Sequence, residues 1–209
     1  MYPGVWIGKE ANENGILIHG ESHYGETETT RGVIDFYLSE NRKGNRDDWM
    51  RFFDRISKSF GYSEINENFW DKVFYGNYVE VPCGVGDNRA DEAISVNRRD
   101  YNNHLFSFVN ENDISSIVCF SQKVYFALPD LVGDEFCEGD IVIGKSSGGK
   151  RNIARICHYS ATDKIREYCE VALKKPLMVY QVKHPSRGYN LDQARDFFYK
   201  LKELMPICK

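Results

Sequence analysis

Three short stretches of this chain carry residue types suited to proton transfer and hydrogen-bond recognition. His184-Pro185-Ser186 follows the apolar run Leu177-Met178-Val179-Tyr180-Gln181-Val182. Far upstream, Ile16-Leu17-Ile18-His19 breaks into the polar loop Gly20-Glu21-Ser22-His23-Tyr24-Gly25. Between them lies Asn77-Tyr78-Val79-Glu80-Val81-Pro82, an apolar alternation headed by an asparagine. An imidazole gives or takes a proton near neutral pH, and a carboxylate can hold or deprotonate water. A carboxamide offers a donor and an acceptor side by side. His184 also has a plainer reading, as a strand-end histidine bonded to nearby backbone. Pro185 after it favours an extended chain and denies a sheet ladder one donor.

These loops need elements that bring them together. Strands are expected at Gly15 to His19, Asn77 to Val81, Ser116 to Phe120 and Leu177 to Val182. Asp47 to Phe60 has the clearest helical period, with Trp49, Phe52, Phe53, Ile56 and Phe60 at spacings of three and four. Shorter helices are expected at Gly32 to Leu38, around Asn66 to Phe74, and through Ala127-Leu128. Longer ones are expected at Asp91 to Asn110, at Thr162 to Leu173 with a Ser160/Asp163 capping box, and from Asn190 to Leu204. Residues Phe136 to Tyr159 read as a β-hairpin around Gly148-Gly149. Strands separated by helices imply parallel pairing. The expected fold is therefore α/β, a three-layer α/β/α domain with a four-stranded, mainly parallel sheet and an inserted hairpin. Such sheets bind ligands in the crevice beyond the carboxyl ends of their strands.

Composition narrows the classes. The 209 residues fit one domain with a substantial core, and 13 Phe, 13 Tyr and 3 Trp argue against disorder. No run approaches the roughly 18 apolar residues of a membrane span. Met1 to Glu10 lacks a basic start and an apolar signal core, so a cytoplasmic location is expected. The six cysteines form no C-x-x-C pair and read as reduced packing residues. With a net charge of −4, any nucleic-acid contact must come from a local patch. The segment from Lys145 to Arg155, with Lys150 and Arg151, is the candidate. Its plainer reading is a solvated hairpin tip.

Two motif matches fail on physical grounds. Gly139 to Ser146 fits the P-loop expression, but its middle is β-branched and Ser-Gly-Gly follows where a helix should begin. His19-Gly20-Glu21 with Pro82-Cys83 is similar to the zinc deaminase pattern, but Gly86 replaces a thiolate ligand. A His19/Glu21/His23 metal cluster would need a further ligand such as His184.

The ordered set of loops resembles the uracil-DNA glycosylase superfamily, as a divergent member. Gly20 to Gly25 occupies the place of that family's water-activating loop. Asn77 to Pro82 looks like its base-reading segment, and Asn88 to Ile94 resembles the stretch that follows. Ser116 to Ser121 loosely matches its third strand, and His184-Pro185-Ser186 matches its last motif in full. The resemblance implies hydrolysis of the N-glycosidic bond of a flipped uracil or related base in DNA, by a monomer without metal or cofactor. It places His184 on the departing base, with Glu21, Ser22 and His23 at the water and Asn77 and Tyr24 around the base. Ser186, Arg187 and Tyr189, with Lys145, Lys150 and Arg151, would meet DNA. Ser22 stands where the family carries an acidic or amide residue, and His23 where it carries proline. A catalytically silent DNA- or nucleotide-binding module with the same fold is the alternative.

Overall fold

The computed structural model describes residues 4–22, 29–63, 67–79, 83, 89–145, 151–186, 188–203 and 205. In chain order these form β1 (Trp6–Ile7), α1 (Ala11–Asn14), β2 (Ile16–Gly20), α2 (Thr30–Lys43) and a 3-10 turn at Asp48–Met50. Next come α3 (Arg51–Ser59), α4 (Glu67–Trp70), β3 (Phe74–Asn77), α5 (Arg89–Glu111), β4 (Ser116–Cys119) and α6 (Gln122–Ala127). The chain continues through β5 (Phe136–Cys137), β6 (Ile141–Lys145), β7 (Arg151–Tyr159), β8 (Leu177–Gln181) and α7 (Leu191–Lys200).

The fold is mixed α/β around an eight-stranded sheet in the order β1-β3-β2-β4-β8-β7-β5, with β6 also paired to β7. The sheet is thus wider than the four strands expected. Its centre, β3-β2-β4-β8, is parallel, whereas β1 and β7 run antiparallel to their neighbours β3 and β8. Side chains alternate across the sheet as the two-residue period of a strand requires. Ile16, Ile18, Val118 and Tyr180 face one core, shared with Ile34 and Tyr37 of α2, Ile56 of α3 and Phe198 of α7. Leu17, Ile117 and Val179 face a second core, shared with Leu105 and Phe106 of α5 and Val124 of α6.

Local chemistry explains the helices that frame the first core. In α2 the buried residues Ile34, Tyr37, Leu38 and Asn41 recur at helical spacing. Thr29 caps its start by accepting from the Gly32 amide, and Gly44 ends it at φ 78°, a backbone region that favours glycine. The Asn190 side chain accepts from the Gln193 amide at 3.1 Å and caps α7 as its sequence anticipates.

Two expected elements differ. The second strand covers Phe74–Asn77 rather than Asn77 to Val81, so Asn77 closes the strand instead of opening it. Phe74 and Tyr75 pair with Leu17 and Ile18, and this register fixes where the ladder ends. The helix expected from Thr162 to Leu173 is absent. Arg166 turns inward to a closed ion pair with Glu135, whose carboxylate also takes the Ser160 hydroxyl at 3.2 Å. Tyr168 sits at φ 62°, which interrupts any helix there. A buried charge pair overrides local helical propensity in this segment.

Candidate functional site

The carboxyl ends of the parallel strands converge on a cavity of about 480 Å³. Gly20 and Asn77, the last residues of β2 and β3, are register partners. Beyond them the chains stay joined, the Tyr78 amide donating to Gly20 O at 3.1 Å and the Val79 amide to Glu21 O at 2.9 Å. His184 follows three residues after β8 ends. Glu21, Ser22, Asn77 and His184 all line the cavity. Four positions from three distant stretches therefore share one hollow.

The remaining described lining is Val33, Phe36, Trp49, Phe52, Phe53 and Tyr75, an apolar and largely aromatic wall. Phe52 lies against the His184 ring at 5.0 Å between centroids. Phe36 and Trp49 stack at 6.0 Å and 21° while remaining 52% and 39% exposed. Trp49, Phe52 and Phe53 belong to one helical stripe of the sequence, which by itself does not separate core from cavity lining, and Phe36 comes from α2. Tyr75 is fully buried, and burial pushes its hydroxyl well above the ordinary range.

Glu21, Asn77 and the turn after His184 are each held by a neighbour far away in sequence. Glu21 accepts from Ser121 Oγ at 2.8 Å, and Lys123 Nζ stands 3.6 Å from its other oxygen while pairing with Asp91 at 2.7 Å. Asn77 Nδ2 donates to Thr30 Oγ1 at 3.4 Å. Its carboxamide oxygen lies so close over Gly20 that a Cβ there would meet it at 2.2 Å, which explains the glycine. Burial lowers the pKa of His184 below its ordinary 6.5, and the Glu21 carboxylate pulls partly the other way. Arg55 donates to the carbonyls of Pro185 and Ser186 at 3.0 and 2.9 Å and so fixes the turn after His184. Lys123, Thr30 and Arg55 carry no sequence signal of their own. Ser121 alone was findable, as the first polar residue beyond a parallel strand.

The other candidates divide. His23, Tyr24, Arg187 and Lys150 lie outside the described residues. Ser186 is exposed beside the cavity turn, and its amide donates to His184 O at 2.8 Å. Tyr189, expected to meet DNA, is packed against the first core with its hydroxyl 2.6 Å from Ser59 Oγ. Lys145 and Arg151 are register partners in the hairpin. Because Arg155 pairs with Gln181 at the end of β8, β7 runs on past the carboxyl edge of the sheet. Four further residues carry Arg151 roughly 13 Å beyond it at strand rise, on the cavity side. His19, weighed as a metal ligand, lies inside the second core edge-on to Tyr78, and burial pushes its imidazole down to about 3. Among the described residues no three His, Cys, Asp or Glu side chains are grouped to hold a metal ion.

No protein-family model and no curated protein matches this chain. Among the described residues, no helix is long and apolar enough to cross a membrane.

Proposed function

We propose that this protein binds an extruded nucleobase in the cavity and hydrolyses its N-glycosidic bond, in the manner of the uracil-DNA glycosylases its motifs resemble. The observation that carries the reading is the meeting of Glu21, Asn77 and His184 in one aromatic-walled cavity. Cleaving a base from its sugar builds negative charge on the departing base. Burial favours the neutral imidazole of His184 near pH 7, which offers an N–H to a base carbonyl without carrying a charge into the pocket. One such fixed donor is typically worth about 3 to 4 kcal/mol in the transition state. Glu21 would orient the attacking water, and the Asn77 carboxamide would read the edge of the base. The aromatic wall replaces the stacking that the base loses on leaving the helix.

This reading takes the parallel centre of the sheet, with helices on both faces, as a three-layer α/β/α frame. The partner is DNA, single- or double-stranded, met by a cytoplasmic monomer that needs no metal or cofactor. Lys145 and Arg151 on the overhanging hairpin would neutralise phosphates. One observation favours a catalytically silent base-binding module instead. Glu21 is already engaged by Ser121 and Lys123, and Ser22 beside it is no carboxylate.

Oligonucleotides containing uracil, hypoxanthine or xanthine, scored for alkali-labile sites, decide between them. Base release should fall about 100- to 1000-fold in His184→Ala. Salt-sensitive DNA binding without release selects the silent module. No release above the His184→Ala background on any lesion ends the enzymatic reading.

A further inference from the structure

Away from the cavity, the sheet edge holds two cysteines face to face. Cys137 of β5 and Cys157 of β7 are direct cross-strand partners in an antiparallel pair. The next ladder bond runs from the Glu138 amide to Ile156 O at 2.8 Å, one residue beyond the pair on each strand. That bond marks Cys137 and Cys157 as a non-hydrogen-bonded pair, the type in which opposed Cα atoms approach to about 4.5 Å and side chains lie closest. A disulfide needs Cα atoms roughly 4.4 to 6.8 Å apart. Both sulfurs also meet one oxygen, Cys137 Sγ at 2.7 Å and Cys157 Sγ at 2.6 Å from the Tyr125 hydroxyl. Both thiols are free, Cys137 exposed and Cys157 buried.

We propose that Cys137 and Cys157 form a reversible oxidation site that closes to a cross-strand disulfide on meeting a peroxide. The exposed Cys137 reacts first. Its sulfur attacks one peroxide oxygen, the O–O bond breaks, and sulfenic acid and one water result. Cys157 sulfur then attacks the sulfenic sulfur, the S–O bond breaks, and the leaving hydroxide takes the thiol proton as a second water. The peroxide is reduced by two electrons and the two thiols are oxidised to one disulfide. Burial raises the Cys157 thiol to about 12 and keeps it protonated, so the exposed Cys137 meets peroxide first and Cys157 enters only once its cross-strand partner carries the sulfenic acid. The site does not depend on the activity proposed for the cavity.

The test treats the full chain with hydrogen peroxide at low molar excess, alkylates it under denaturing conditions and maps the peptides by mass. The expected product lacks two hydrogens, links the peptides of Cys137 and Cys157, reverts on adding dithiothreitol, and is absent in Cys137→Ser. Alkylation of both thiols after treatment would overturn the proposal. So would over-oxidation of Cys137 to sulfinic acid with Cys157 still alkylated.

Discussion

Glu21 and Glu135 each sit beside a serine hydroxyl and a cation, yet they end in opposite states. Glu135 takes Ser160 Oγ, the Val132 amide at 2.8 Å and the guanidinium fork of Arg166, with both charged side chains shut away from solvent. Burial alone would raise its carboxyl, but Arg166 and the Val132 amide outweigh it and hold the pKa below the ordinary value. Glu21 has Ser121 Oγ and a lysine 3.6 Å away, and 20% of its side chain stays open to the cavity. A planar fork saturates a carboxylate, whereas a point charge at longer range leaves acceptor capacity unused. The difference teaches that a serine hydroxyl and a cation beside a carboxylate belong to a structural rivet in one place and to an available acceptor in another. Donor geometry and access to solvent decide which.

The comparison can be broken most visibly at the rivet. Arg166→Ala strands a buried carboxylate and should lower unfolding free energy by about 3 to 5 kcal/mol in urea denaturation. A loss under about 1 kcal/mol, the range of an exposed pair, would erase the distinction. Gly20→Ala acts on the open side by pushing against the Asn77 carboxamide and the Tyr75 hydroxyl. It should cost about 1 to 3 kcal/mol of stability. Base release or DNA binding should fall with it, measured on the same preparation. The smallest stability effect is expected from Glu21→Gln, about 1 kcal/mol or less. The same substitution removes the charge that opposes burial at His184, so the imidazole midpoint should move further below 6.5 in an NMR pH titration. A midpoint that rises would show that Glu21 does not act on His184.

How far the sequence foretells this arrangement depends on the range of the interactions. The apolar runs at Ile16, Ile117 and Leu177 carry their own signal and fall in parallel central strands. The polar loops after the first and last of these were legible for the same reason. Asn77 closes its strand instead of opening it, because apolar alternation runs on past Asn77 while the regular ladder register with β2 ends there. Residues 162–173 have helical composition, and no local rule reveals that Arg166 is needed 31 positions away at Glu135. Trp49 and Phe52 look like part of any amphipathic core stripe until the turn carrying His184 lies opposite them. The supporting residues Thr30, Arg55 and Lys123 were illegible, since each acts only across a long separation in the chain.

Arg55 reaches its two carbonyl partners across 130 and 131 residues. The aim of the His184 ring is thus tethered to a helix from the opposite end of the polypeptide. Fraying of α3 would let that ring swing while the sheet beneath stayed intact, so the cavity wall should loosen at a milder temperature than the protein melts.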